Sequence, residues 1–189
     1  MNIATLFIKN MVCNRCIAVV QSELDKLGII SKNVKLGEVT LEKELTEAQK
    51  KVLNETLILL GFELIGDKKS RIIEGIKIVI INLVHYQGND AKANLSDILG
   101  KKLNHDYNYL SNLFSEVEGT TIEKYFISQK VEKVKELLVY DELSLSEIAF
   151  SLNYSSVAYL SNQFKKVTGL TPSHFKQIRE GKRNPLDKV

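Results

Sequence analysis

Tyr109-Leu110-Ser111-Asn112-Leu113-Phe114 returns fifty residues later as Tyr159-Leu160-Ser161-Asn162-Gln163-Phe164. The echo reaches upstream, where Leu95-Ser96-Asp97-Ile98 is answered by Leu145-Ser146-Glu147-Ile148. It reaches downstream as well, where Gly119, Thr121 and Tyr125 are answered by Gly169, Thr171 and Phe175. An internal repeat is one supersecondary unit used twice. In the second copy Ser144 or Ser146 can cap a helix carrying Ile148, Ala149 and Leu152 at helical spacing. The pattern breaks at Asn153-Tyr154-Ser155-Ser156, a cluster of turn and capping residues. A second helix then opens on Ser156, is expected to bury Leu160, Phe164 and Val167, and stops at Gly169. Thr171-Pro172 starts another, with threonine as cap and proline in the first turn. The first copy reads alike: Leu95, Ile98, Leu99 and Leu103, a turn at Asn104-His105-Asp106, then Leu110, Leu113, Phe114 and Val117 before Gly119.

Short helix, tight turn and second helix is the helix-turn-helix pattern, whose second helix enters the major groove of DNA. The run Ile148-Ala149, Asn153-Tyr154-Ser155-Ser156, Tyr159-Leu160-Ser161, Phe164-Lys165-Lys166, Gly169, Thr171-Pro172 and Phe175-Lys176 resembles the signature of AraC-type transcriptional regulators. The resemblance covers residues 72–179 and implies two helix-turn-helix units joined by a long helix, for which 122–139 is the natural connector. The chain departs from that family at a few places. Asn153 stands where glycine is common, Tyr154 and Leu160 where phenylalanine is common, and Asn162 where arginine is frequent.

Residues off the apolar stripe of each second helix are the candidates for reading bases. They are Tyr107, Asn108, Ser111 and Asn112 in the first unit, and Ser156, Val157, Ala158, Ser161 and Asn162 in the second. No arginine is among them, so the commonest guanine contact is missing; asparagine suits adenine, and Val157 and Ala158 suit a thymine methyl. Sites leaning to A·T are therefore expected. Lys165, Lys166, Lys176, Arg179, Lys182 and Arg183 are placed for phosphates, although a lysine run on a helix is ordinarily a solvated face. A net charge of +3 and a pI near 8.7 allow DNA binding without a large nonspecific surplus.

The N-terminal third has another texture. Residues 4–8 read as a strand, and Ile17, Val20, Leu24 and Leu27 form a helical stripe ending at Gly28. Val34-Lys35-Leu36 and Val39-Thr40-Leu41 flank a hairpin turn expected at Gly37-Glu38. A helix from Thr46 through Leu60 stops at Gly61, and Phe62-Glu63-Leu64-Ile65 reads as a last strand. The order βαββαβ is the ferredoxin-like arrangement. The fold class expected is thus α+β: a small βαββαβ ferredoxin-like domain at 1–68, then an all-α tandem helix-turn-helix domain at 69–189.

That order, with Met11-Val12-Cys13-Asn14-Arg15-Cys16 after the first strand, resembles the heavy-metal-associated domain of copper chaperones and metal-pumping ATPases. Asn10 replaces its usual glycine and Val12 its usual threonine. A helix N-terminus near Cys16, with Arg15 and Lys9, favours thiolates. Two soft thiolates suit linear Cu(I) or another soft metal ion, whereas structural zinc wants two further ligands, and no histidine precedes His85. Three readings of Cys13 and Cys16 stay open: a metal sensor, a reversible disulfide pair, or small apolar residues in a domain serving homodimer formation or an organic effector.

The 189 residues suffice for two small domains, with the charged stretch 66–71 as the joint. The absence of a signal peptide and the close cysteine spacing lead to the expectation of a cytoplasmic protein. The apolar stretch 72–84, broken by Glu74, Lys77 and Asn82, is too short to span a membrane and reads by its length as the first helix of the C-terminal domain. There is no Gly-rich phosphate loop and no Ser/His/Asp grouping, and His85, His105 and His174 are scattered, so no enzyme is expected. The competing class is a metal carrier whose C-terminal half docks partners.

Overall fold

A computed structural model describes residues 4–86 and 94–180. The expectations placed on Lys182, Arg183 and the side chain of Arg179 lie outside the described residues. By contacts the described residues divide into two compact units, one made of 4–79 with 96–117, the other of 80–86 and 94–95 with 118–180.

In the first unit, strand β1 (Ala4–Lys9) is followed by helix α1 (Asn14–Lys26), strands β2 (Ser31–Lys35) and β3 (Glu38–Leu41), helix α2 (Glu47–Leu59) and strand β4 (Glu63–Leu64). The strands form one antiparallel sheet in the order β2-β3-β1-β4. Period-two alternation puts Ile8 of β1 and Val39 and Leu41 of β3 on the buried face, where they meet Val20 and Leu24 of α1 and Leu53 and Leu57 of α2. Both helical pairs are four apart, as one helix face requires. Thr46 accepts the Gln49 N–H while the Gln49 side chain accepts the Thr46 N–H, so α2 starts on a reciprocal cap.

Two local expectations are corrected. Val34 pairs with Val39 and Lys35 with Glu38, so the hairpin turn is Leu36-Gly37, one residue earlier than read. Only Gly37 there takes a positive φ, of 72°, and a Cβ on it would fall 2.1 Å from Ile78 Cδ1, so the turn is also a close approach. The last strand holds two residues, not four, pairing Leu64 with Ile8 and Glu63 with Lys9. Beyond it the chain must turn into helix α3 (Lys68–Ile81), whose Ser70 N–H is accepted by Asp67.

Helix α3 confirms the helical reading of the 72–84 stretch, passing at its end into a π-helical turn, Asn82–Tyr86. Its first three turns pack back on the sheet's own elements: the Arg71 guanidinium lies 4.8 Å above the Phe7 ring, and Glu74 accepts the Asn10 N–H at 2.9 Å. These contacts explain why the division by packing differs from one drawn by motif at 68/69. The unit is completed by α4 (Leu95–Leu103) and α5 (Tyr107–Glu118), which bury Leu99, Leu110, Leu113 and Phe114.

The second unit is helical. The long helix α6 (Ile122–Tyr140) is capped by Thr121 and ends on Asp141 at φ 55°. Its Val131, Val134 and Leu138, spaced three and four apart, pack on α7 (Leu145–Ser151), α8 (Val157–Thr168) and α9 (Pro172–Glu180) through Ile148, Ala149, Leu160, Phe164 and Phe175. Ser144, not Ser146, caps α7, in a reciprocal box with Glu147. The Ser144 hydroxyl holds the Glu147 carboxyl below its ordinary range. Among the described residues no helix is long and apolar enough to cross a membrane.

Val117 and Val167, both expected to be buried, are 51% and 45% exposed. Their angle on the helix is right. Each sits in the last turn of its helix, three residues beyond the buried Phe114 or Phe164.

Candidate nucleic-acid interface and dithiol loop

Each helix-turn-helix bends on an asparagine. Asn104 and Asn153 take φ of 53° and 52°, the left-handed region that asparagine tolerates better than other side chains. This accounts for Asn153 where glycine is common. The preceding helix closes in the same way at both: His105 donates its N–H to Gly100 at 3.3 Å, and Tyr154 donates to Ala149 at 2.9 Å. The turns differ by one residue afterwards. Asp106 caps α5 through the N–H groups of Asn108 and Tyr109, whereas Ser156 caps α8 through Tyr159. Two residues thus separate the asparagine from α5 and three separate it from α8.

On α8, Ala158, Asn162 and Lys165 lie at i, i+4 and i+7 and are all exposed, with half-buried Ser161 beside them. On α5, Asn108 and Asn112 are exposed and Tyr107 and Ser111 half-buried. Val157 packs against the core beneath α8, so its methyl groups are largely spent inside. Ser156 is exposed, but its hydroxyl is engaged in the cap. Lys165 and Lys166 stand exposed in the last turn of α8. Lys176 of α9 bonds to Asp141 at the end of α6, which ties two helices together and competes with any phosphate.

Two residues were not singled out by the apolar-stripe argument. Tyr109 and Tyr159 occupy the same place in the two units and are 45% and 53% exposed. Their rings lean on the turns, at 5.4 Å from His105 and 6.0 Å from Tyr154. The signal available in sequence was an aromatic repeated off the apolar stripe. Beside α8, a groove of about 590 Å³ runs between α6 and α8, lined by Lys124, Ile127, Tyr159, Asn162, Lys166 and Val167 among others.

Beneath the second turn, Lys130 of α6 holds its ammonium 3.8 Å from the Tyr154 ring centroid and 5.6 Å from that of Phe126. Burial pushes the amine down to about 8. Burial, and then the charge of Tyr159, pushes the Tyr154 hydroxyl up to about 12. That hydroxyl finds no hydrogen-bond partner among the described residues.

The dithiol loop begins at Asn10, at φ 70°, where asparagine again serves for glycine. Met11 is fully buried in the core and anchors the loop. Cys13 is the extended residue before α1, and the two sulfurs stand 3.4 Å apart, both half-buried. The Cys13 thiol is held below its ordinary value, first by the Cys16 backbone N–H, then by the Cys16 side chain, with a smaller share from the Arg15 charge. Lys9, expected to help, instead faces Glu63 at 3.9 Å. Among the described residues no group of three or more His, Cys, Asp and Glu could hold a metal, so a closed four-ligand zinc site is not formed there.

Residues 99–178 match the family described as "Helix-turn-helix domain". The chain is 31% identical over 96 residues to the Msm operon regulatory protein of Streptococcus mutans, covering 50% of this chain and 34% of that one. It is 29% identical over 100 residues to the xylose operon regulatory protein of Escherichia coli, covering 52% and 26%. An uncharacterized HTH-type transcriptional regulator of Bacillus subtilis, YtdP, is 27% identical over 97 residues, covering 51% and 13%. The chain thus spans about a third or less of these relatives' length. Among solved structures, the C-terminal domain of AraT, a response regulator from Geobacillus stearothermophilus, aligns with a TM-score of 0.51 at 26% identity, covering 60% of this chain and 89% of that one. Residues 99–178 are therefore a helix-turn-helix domain.

Proposed function

We propose that the chain is a sequence-specific DNA-binding transcriptional regulator. The observation that carries this is the pair of helix-turn-helix units, each offering an exposed polar face: Asn108 and Asn112 on α5, Ala158 and Asn162 on α8. The relatives matched over this segment are operon regulators by name, which supports the same reading. The asparagines read bases, while Lys165, Lys166 and the capped helix N-termini hold phosphates. The test is selection of duplexes from a randomised library, followed by titration of selected and scrambled sites. Selected sites should be A·T-leaning, and Asn162→Ala should relax the preference. Equal affinity for selected and scrambled duplexes would refute the proposal.

A second reading concerns residues 1–68 as a sensor ahead of the DNA-binding domain at 69–189. The βαββαβ order with strand order β2-β3-β1-β4 supports a ferredoxin-like domain of the heavy-metal-associated kind. The two adjacent thiols, one of them eased toward thiolate, support a soft cation such as Cu(I) as its effector. The donor types fit such an ion. Cys13 and Cys16 would hold the ion between their sulfurs, now 3.4 Å apart. Operator affinity of wild type and Cys13→Ser/Cys16→Ser, with and without Cu(I) under reducing conditions, tests it. Four equal affinities would remove the sensor, and a response to oxidant alone would favour the disulfide pair.

A further inference from the structure

Glu74 of α3 is a buried charged residue, only 5% exposed, with Arg71 and Lys77 three residues to either side of it on the helix. A carboxylate is a costly residue for packing alone unless hydrogen bonds compensate it. Here it accepts the N–H of Asn10, the residue that opens the dithiol loop, at 2.9 Å and across 64 residues of sequence. Asn10 is fixed from a second side, since its side-chain amide donates to the Gly61 carbonyl at 2.9 Å.

We infer that Glu74 is a positioning residue of the dithiol loop, and that through α3 it makes the spacing of Cys13 and Cys16 and the seating of α4 depend on one another. The next residue on α3, Gly75, lies so close to α4 that a Cβ there would meet Leu103 Cδ2 at 2.9 Å. Six residues earlier, Lys69 stands 3.8 Å from Glu116 of α5. One short stretch of α3 thus touches the loop on one side and the first helix-turn-helix on the other. The sulfurs at 3.4 Å are too far apart for a disulfide, about 2.05 Å, so forming that bond must draw the Cys13 and Cys16 sulfurs together. With the loop's start held by Glu74, that movement reaches α3. This deepens the sensor reading, on which it rests, by naming the route of regulation.

The test uses the full chain without DNA or metal, so its failure and a failure of DNA binding are seen separately. Amide hydrogen exchange is followed in the reduced protein and after diamide has formed the Cys13–Cys16 bond, taking up the two electrons and two protons released. Exchange should change in the loop and, about fivefold or more, in α4. In Glu74→Ala, checked for folding by circular dichroism, the loop should still respond and α4 should not. If alanine prevents folding, Glu74→Gln is read instead: a neutral acceptor is a weaker partner for the Asn10 N–H and should give a smaller response in α4. A response in the loop with none in α4 of the wild type, or a response in α4 undiminished in the variant that folds, overturns the inference.

Discussion

Replacing Tyr154 by phenylalanine should stabilise the protein. Tyr154 is 8% exposed, and its hydroxyl has no hydrogen-bond partner among the described residues. An unsatisfied buried polar group costs about 1–3 kcal/mol. The ring itself is well used, since Lys130 sits 3.8 Å from its centroid and its neighbours belong to the core of α6, α7 and α8. Phenylalanine keeps that ring and drops only the hydroxyl, so a net gain of about 1 kcal/mol is expected once slightly weaker ring electrostatics are subtracted. For a chain of this size that corresponds to roughly 2–4 °C in Tm. The pH dependence gives an independent sign. Burial, foremost, raises Tyr154 from 10.0 to about 12. Between those values the unfolded state has lost a proton that the folded state keeps, so wild-type stability falls as pH rises through the window. The phenylalanine variant lacks this loss, and its advantage should widen above pH 10. Urea denaturation followed by circular dichroism at pH 7 and pH 11 measures both. A loss of more than about 0.5 kcal/mol at pH 7 would mean that the hydroxyl has a bonding partner after all, and the reasoning would fail.

Lys130 carries the opposite sign. Burial lowers it from 10.5 to about 8, so between pH 8 and 10 the unfolded state binds more protons and stability rises with pH, the ring contacts offsetting part of the effect. Lys130→Met should flatten that rise in the urea midpoint; an unchanged slope would show that the ammonium is well solvated. Ser156→Ala removes the acceptor of the Tyr159 N–H at the start of α8 and should cost about 1 kcal/mol in the same assay. Lys165→Ala should weaken binding to all duplexes alike and lower the salt slope of log K by about one unit, and a sequence-dependent loss would place Lys165 at a base instead.

Much of the fold could be read from local chemistry. The repeat located both turns, the i, i+4 pairs Leu160/Phe164 and Leu110/Phe114 gave the buried stripes, and Thr46 and Ser156 marked helix starts. These features depend on neighbours within a few residues. The misplaced details depend on distant ones. Whether Val117 and Val167 are covered is decided by how far the packing partners extend, which helical periodicity does not encode. The length of β4 is decided by where α3 draws the chain away. The hairpin slipped by one residue because the glycine has to take the second place of its turn, facing Ile78. In the candidate site the exposed asparagines and the cysteine pair were legible as residue types at known spacing. The Asn10–Glu74 bond and the Lys130–Tyr154 contact join residues 64 and 24 positions apart, and nothing local in sequence announces them.

The central claim is that both repeats read DNA. Hydroxyl-radical and methylation-protection footprinting of the full chain on a selected duplex tests it most directly. Two protected major-groove segments on one face, about 34 Å or one helical turn apart, are predicted for a single chain. Protection of one groove alone, or protection without preference for sequence, would contradict it.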